Sequence, residues 1–104
     1  MPQVDLVYDP ECPHVALART NLMRAFAATG VPARWSEHRI GSPDAVARVR
    51  GFGSPTVLVD GRDVAQAEPG SESCCRVYGT AGAPSVELIA SALRNAMAPR
   101  PTRR

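Results

Sequence analysis

The segment "PTVLVDGRDVA", residues 55–65, constrains the fold of this chain more than any other. A run of β-favouring residues, 56–59, leads into Asp60-Gly61, and a second short run of strand-type residues follows. Asp-Gly between two such runs is among the strongest local signals for a hairpin, because both positions of the tight turn need a positive φ. The segment therefore predicts an antiparallel β-hairpin late in the chain.

The N-terminal third predicts a strand followed by a helix. Residues 4–8, "VDLVY", favour a short strand. A helix is expected over about 13–29, with Pro13 in its first turn, where a missing N–H costs nothing, and with Gly30 just past its end. Apolar residues recur at helical spacing in this stretch: Val15, Ala18, Leu22, Phe26 and Ala27.

Two weaker elements and one clear helix complete the pattern. Residues 33–38, "ARWSEH", predict a second strand, and a short helix capped by Ser42-Pro43 is expected over 42–50. Near the end, Ser85 is expected to cap a last helix. Its apolar stripe comprises Val86, Ile89, Leu93 and Met97.

The resulting order, β-α-β-α-β-β-α, predicts one α/β domain over residues 1–97. The first β-α-β unit must be parallel and right-handed, whereas the last two strands are an antiparallel hairpin. A mixed four-stranded sheet with helices on both faces follows. Residues 98–104, "APRPTRR", are expected to form a flexible C-terminal tail.

Composition narrows the function classes. The hydrophobic fraction is 44%, but no apolar run approaches the ~20 residues of a membrane span. No basic stretch followed by an apolar one opens the chain, so we expect a cytoplasmic protein with reduced thiols. All twelve basic residues are arginines scattered along the chain, and a net charge of +2 does not indicate a nucleic-acid partner. Nothing in the sequence indicates the oligomeric state.

Cys12 marks the junction between the first strand and the first helix. A helix N-terminus favours the thiolate form of a cysteine, and His14 would support this effect, whereas Asp9 and Glu11 would oppose it. Asp9 is expected mainly to cap the helix. The alternative is that Cys12 is a small buried hydrophobic residue, since cysteine is often buried.

The order of elements, with Cys12-Pro13 at the first junction and "GSPTVLVDG" (53–61) entering the hairpin, resembles the thioredoxin fold. The resemblance implies a cis-proline at the start of the third strand, facing the cysteine, and Ser54-Pro55 matches that position. This segment could contact an extended peptide. "CPHV" is similar to the CPHC motif of the bacterial periplasmic disulfide oxidase, with Val15 in place of the second cysteine.

The whole chain also resembles a group of small actinobacterial thioredoxin-like proteins. They share the CP motif, the same hairpin and a late "CRVY", here residues 75–78, and some carry an alkylmercury-lyase label. By this resemblance Cys75 is the expected partner of Cys12, with Arg76 beside it. Cys74 is then a further ligand or a bystander, and the alternative is that neither Cys74 nor Cys75 has a role.

The fold suggests how the late thiols could approach Cys12. The last strand should return to the edge where the third strand begins, so the loop after residue 65 should lie near Pro55. Thiol–disulfide exchange is the leading hypothesis, with Cys12 attacking a protein or low-molecular-weight disulfide and Cys75 resolving the product.

Two alternatives stay open. The three cysteines Cys12, Cys74 and Cys75 could bind a soft metal ion of the mercury type, and a lyase would add Asp9 or Glu11 as a proton donor. The other alternative is a redox-inert scaffold that binds a partner. No further cofactor is predicted, and a zinc site is disfavoured because the cysteine spacing does not suit it.

Overall fold

The computed structural model describes residues 2–40, 54–65 and 83–97. The elements within these ranges are β1 (Val4–Tyr8), α1 (Val15–Thr29), β2 (Ser36–Arg39), β3 (Thr56–Val59), β4 (Arg62–Asp63) and α2 (Val86–Met97). The helix predicted over 42–50 and the tail over 98–104 lie outside the described residues. No helix within the described ranges has the length and apolar character needed to cross a membrane.

The strands form one mixed sheet in the order β2-β1-β3-β4. β1 pairs in parallel with β2 and antiparallel with β3, and β3 pairs antiparallel with β4. The parallel pair is joined through α1, as a β-α-β unit requires. The prediction of a small α/β protein with a mixed four-stranded sheet is thus confirmed.

The β3–β4 hairpin has the predicted two-residue turn. Asp60 and Gly61 have φ values of 52° and 81°, as a type I′ turn requires. The side chain of Asp60 adds a contact that the turn signal does not imply, since its Oδ1 accepts a hydrogen bond from the Gln3 N–H at 2.8 Å. The Asp60 N–H in turn donates to the Gln3 carbonyl at 2.7 Å. The turn is thereby held to the start of β1.

The two faces of the sheet are distinct. Val4, Leu6, Val57 and Val59 belong to the main core, which they share with the buried residues of α1 and α2. The two helices pack against each other, so both cover this face. Intervening residues of the same strands, Val7 and Leu58, form a second buried cluster with Ile40 packed against it. Whether a helix covers that second face, as predicted, depends on residues 42–50, which lie outside the described ranges.

α1 begins later than the sequence suggested. Its first residue is Val15 and its N-cap is His14, so Pro13 precedes the helix instead of lying in its first turn. The C-terminal prediction is confirmed: Gly30 has a φ of 76° and its N–H donates to the Phe26 carbonyl at 2.9 Å. The expected buried position Ala27 is exposed. The side chains that α1 buries are those of Val15, Ala18, Asn21, Leu22, Ala25 and Phe26.

α2 begins as predicted. The Oγ of Ser85 accepts a hydrogen bond from the Leu88 N–H at 3.1 Å, which makes Ser85 the cap of the helix. Ile89 and Leu93 are buried, whereas Met97 is half exposed. α2 is also fastened to α1, because the buried Asn21 side chain donates from Nδ2 to the Pro84 carbonyl at 2.9 Å.

Candidate thiol site

The loop between β1 and α1 is a hydrogen-bonded turn centred on Asp9. The Cys12 N–H donates to the Asp9 carbonyl at 2.9 Å. The Glu11 N–H donates to Asp9 Oδ1, also at 2.9 Å. The expectation that Asp9 caps α1 is therefore wrong: its carboxylate caps the preceding turn, and the N-cap of the helix is His14, which makes no side-chain capping bond. A short side chain that bonds the backbone two residues ahead stabilises such turns.

Cys12 lies one turn before the first helical residue. Its carbonyl accepts a hydrogen bond from the Val15 N–H at 3.5 Å, and its residue exposure is 7%. It belongs to the main core, while its neighbours Glu11 and Pro13 are exposed. The thiol is thus both buried and close to the start of α1. It is not within the helix, so the influence of the helix dipole is weaker than at the N-cap itself.

A hydrogen bond joins the Cys12 loop to the segment before β3. The Asp9 N–H donates to Ser54 Oγ at 2.9 Å, and Ser54 is fully buried. The Ser54-Pro55 peptide bond is cis, as the resemblance implied, and β3 begins at the next residue. The structure therefore joins Asp9, in the loop that carries Cys12, to Ser54, which directly precedes Pro55.

Hydrogen bonds anchor the two segments that flank residues 66–82 to β3 and to α1. At one end, the Val64 N–H donates to the Val57 carbonyl at 3.0 Å, close to the beginning of β3. At the other end, Pro84 is held by Asn21, in the second turn of α1. Cys74, Cys75 and Arg76, which lie between these ends in sequence, are outside the described residues.

The remaining predicted side chains do not assemble a metal site within the described ranges. Glu11 is exposed and His14 is half-buried. No group of three or more His, Cys, Asp or Glu side chains among residues 2–40, 54–65 and 83–97 is placed to hold a metal ion. Two of the three predicted soft-metal ligands, Cys74 and Cys75, lie outside these ranges.

Sequence reasoning did not identify a polar cluster that fastens β2 to α1. Arg19 donates two hydrogen bonds to Glu37, from Nε to Oε2 at 2.9 Å and from Nη2 to Oε1 at 2.8 Å. The Nε1 of Trp35 also donates to Glu37 Oε2, at 3.0 Å. The Arg19 guanidinium lies 5.5 Å from the centroid of the Tyr8 ring, at the end of β1. The cluster therefore links α1 to both parallel strands just before the Cys12 loop.

The electrostatics of this cluster follow from the paired hydrogen bonds. The bonds from Arg19 lower the pKa of the Glu37 carboxyl, against the opposing effect of its partial burial, and the Trp35 bond adds to the lowering. The bond to Glu37 likewise raises the pKa of Arg19. No local sequence signal could have identified the pair, because its members are 18 positions apart.

His38 has a partner that the sequence did not indicate. The strand predicted over 33–38 would end at His38, whereas the residue lies within β2, which continues to Arg39. Its Nε2 is 2.7 Å from Oδ1 of Asp5, a fully buried residue of β1. This pair is on the opposite face of the sheet from α1 and α2, because the antiparallel partner of Asp5 is Leu58.

A cavity of ≈ 260 Å³ lies at the other end of α1 from Cys12. It is lined by Thr29, Gly30, Val31, Pro32, Arg94 and Met97. Because α1 separates it from the Cys12 loop, the cavity is not part of the thiol site.

The fold and the site define a class only broadly: a small α/β protein with a mixed four-stranded sheet and two helices among its described residues. No protein-family model, no curated protein and no solved structure matches the chain.

Proposed function

We propose that this chain is a thioredoxin-fold protein that carries out thiol–disulfide exchange at Cys12. The observation that carries the proposal is the hydrogen bond from the Asp9 N–H to Ser54 Oγ, which joins the Cys12 loop to the segment containing Pro55. The strand order β2-β1-β3-β4, with one parallel and two antiparallel pairs, supports the fold assignment. Burial of Cys12 at the junction of β1 and α1 supports a shielded thiol.

Cys75 is the proposed second thiol, and chain length supports this choice. Cys75 lies ten positions after Ala65 and eight before Ala83. An extended chain covers ~3.3 Å per residue, so the segment from Ala65 to Cys75 can extend to about 33 Å and the segment from Cys75 to Ala83 to about 26 Å. From its first residue to Asn21, which anchors Pro84, α1 extends about 9 Å. The chain between Cys75 and Pro84 is therefore long enough for Cys75 to reach the start of α1, which Cys12 precedes.

The reaction proceeds by two exchanges of disulfide bonds. The Cys12 thiolate attacks one sulfur of a disulfide RSSR, so that a bond to Cys12 forms while the RS–SR bond breaks and one thiolate leaves. The Cys75 thiolate then attacks the Cys12 sulfur, and the second RSH is released. The two protein thiols lose two electrons, and RSSR is reduced to two thiols. The disulfide is that of a protein or a low-molecular-weight thiol.

The test compares Cys12→Ser, Cys74→Ser and Cys75→Ser with the unmodified protein after mild oxidation with hydroxyethyl disulfide. Mass spectrometry of the digested protein should detect a Cys12–Cys75 peptide in the parent and in Cys74→Ser. Cys75→Ser should stop at a mixed disulfide on Cys12, and Cys12→Ser should give no Cys75 product in the same time. Cys74→Ser is the matched control, because it removes the thiol next to Cys75 and keeps both cysteines of the proposed pair.

Two results would contradict the proposal. If Cys12 reacts no faster with hydroxyethyl disulfide in the folded protein than in urea, the fold does not activate it. If Cys74→Ser and Cys75→Ser have the same effect, Cys75 is not a specific partner. The soft-metal, lyase and scaffold hypotheses stay predictions. Stoichiometric Hg²⁺ binding that is lost in Cys12→Ser and Cys75→Ser, without disulfide formation in the parent, would favour the metal site.

A further inference from the structure

Asp5 is an acidic residue in the interior of the sheet. It lies in β1, the strand between β2 and β3, and its exposure is 0%. The His38 side chain, which is 17% exposed, places Nε2 at 2.7 Å from Asp5 Oδ1. A buried carboxylate is costly unless hydrogen bonds and opposite charges compensate for its lost hydration. The contact with His38 is one such interaction, and it joins β2 to β1.

Within β2 itself, apolar burial gives little constraint on where the strand lies, and the apolar contacts flank the strand: Trp35 stacks on Phe26, and Ile40 packs against the Val7–Leu58 cluster. Ser36, Glu37 and Arg39 are all exposed, and the strand contains no apolar residue. In an ordinary half-buried strand, a row of apolar side chains specifies the pairing, and strands without one are prone to slip. Among the strands that the structure describes, β2 is also at the edge of the sheet, with β1 as its neighbour.

The observed register depends on the position of His38. Val7 is opposite His38 and Asp5 is opposite Ser36, so the imidazole reaches diagonally from one pair to the next. A slip by one residue would turn His38 to the other face of the sheet. A slip by two residues would keep the face but move the imidazole by about 6.6 Å along the strand. Either displacement is incompatible with a 2.7 Å contact.

We propose that the Asp5–His38 pair fixes the register of β2 against β1. Setting a unique register is the best-attested role of a buried polar pair. The Arg19–Glu37 pair, on the other face, holds β2 to α1 but involves an exposed arginine. Correct register also aligns the end of β1, since the Ile40 N–H donates to the Tyr8 carbonyl at 2.8 Å, directly before the Cys12 loop.

Two backbone amides allow a test by hydrogen exchange. The Ile40 N–H reports on the β2–β1 pairing, and the Val64 N–H, bonded to the Val57 carbonyl, reports on the β3–β4 hairpin. In His38→Ala, exchange at Ile40 should accelerate at least ten-fold more than exchange at Val64. Nuclear Overhauser contacts between the Val7 and His38 positions should weaken, and a second set of β2 resonances should appear.

Glu37→Gln is the matched control, since it weakens the Arg19–Glu37 pair on the opposite face of the sheet and leaves Asp5 and His38 in place. It should retain the β2 contacts of the parent protein. Equal acceleration at Ile40 and Val64 in His38→Ala would overturn the proposal, because the pair would then contribute only to global stability. Unchanged exchange at both amides would also overturn it. If His38→Ala does not fold, His38→Gln is judged by the same two amides, with a smaller acceleration expected at Ile40 alone.

Discussion

The Asp9 N–H and the Ser54 Oγ, 45 positions apart in sequence, form a hydrogen bond of 2.9 Å. One group lies in the loop that carries Cys12, and the other lies directly before Pro55 and β3. The donor is a main-chain group, so the bond constrains the backbone of the loop and not merely a side chain. Ser54 therefore ties the beginning of the Cys12 loop to the segment before β3.

Ser54→Ala should destabilise the protein by about 1–3 kcal/mol. The substitution removes the acceptor and leaves the Asp9 N–H in a partly buried place without this partner. Chemical denaturation would measure the change in the free energy of unfolding. Ser36→Ala is the control, since Ser36 is exposed and its substitution should change stability by less than about 0.5 kcal/mol. Equal effects in the two variants would show that the Asp9–Ser54 bond contributes nothing specific.

Two leucines of α1 offer a matched comparison of burial. Leu22 has an exposure of 0% and Leu17 of 40%. Leu22→Ala should cost about 2–5 kcal/mol, because it removes a buried side chain and leaves a cavity between α1, α2 and the sheet. Leu17→Ala should cost less than about 1 kcal/mol, because the Leu17 side chain is partly exposed and its removal takes away less buried apolar surface. Thermal or urea unfolding of both variants checks the difference, and similar costs would contradict the assigned burial.

The glycine of the hairpin turn is required for its backbone conformation. Gly61 has a φ of 81°, and a Cβ added there would meet no atom within 4 Å. Gly61→Ala should therefore destabilise by about 1–2 kcal/mol through backbone strain alone. Gly61→Asn should cost less, because asparagine adopts the left-handed conformation more readily. An alanine variant as stable as the asparagine variant would contradict this explanation.

The Arg19–Glu37 pair should make the free energy of unfolding depend on pH. The hydrogen bonds from Arg19 are the main reason that the pKa of Glu37 is lower in the folded protein. The ionised Glu37 side chain therefore makes its full contribution to stability at pH values above the pKa of an unfolded glutamate, about 4.3. That contribution is lost as the pH falls through the lower pKa of the folded state. Both side chains are substantially exposed, so we expect less than about 1 kcal/mol at pH 7, reduced further by salt.

Comparison of the parent with Glu37→Gln measures this effect. The difference in unfolding free energy between the two proteins should be largest near neutral pH and should shrink below about pH 4. Ser36→Ala, which changes an exposed residue of β2 and no ionisable group, is the control and should differ from the parent by about the same amount at every pH. A difference that grows as the pH falls would have the wrong sign for a carboxyl group with a lowered pKa.

Local sequence signals correctly predicted several features of the fold. The Asp60-Gly61 turn, the end of α1 at Gly30 and the Ser85 cap each depend on residues within a few positions of one another. Their conformations follow from backbone sterics and short-range hydrogen bonds, which a sequence specifies directly. The mixed sheet followed from the order of the elements and the handedness of the β-α-β crossover.

The start of β2 and the start of α1 were less predictable. The sequence placed the strand over 33–38, but it runs from Ser36 to Arg39, because its position depends on pairing with β1 and not on an apolar alternation of its own. The sequence also placed Pro13 inside α1. Hydrogen bonding to Asp9 extends the preceding turn, so the helix begins at Val15.

The sequence by itself determined the hairpin, the end of α1 at Gly30, the Ser85 cap of α2 and a cysteine at the first strand-to-helix junction. Only the tertiary structure decided that Asp9 bonds Ser54, that Arg19 pairs with Glu37 and that His38 reaches the buried Asp5. The partners in these contacts are 45, 18 and 33 positions apart. Contacts at such separations arise when packed elements bring side chains together, and the energy of each depends on burial and geometry that no local pattern encodes.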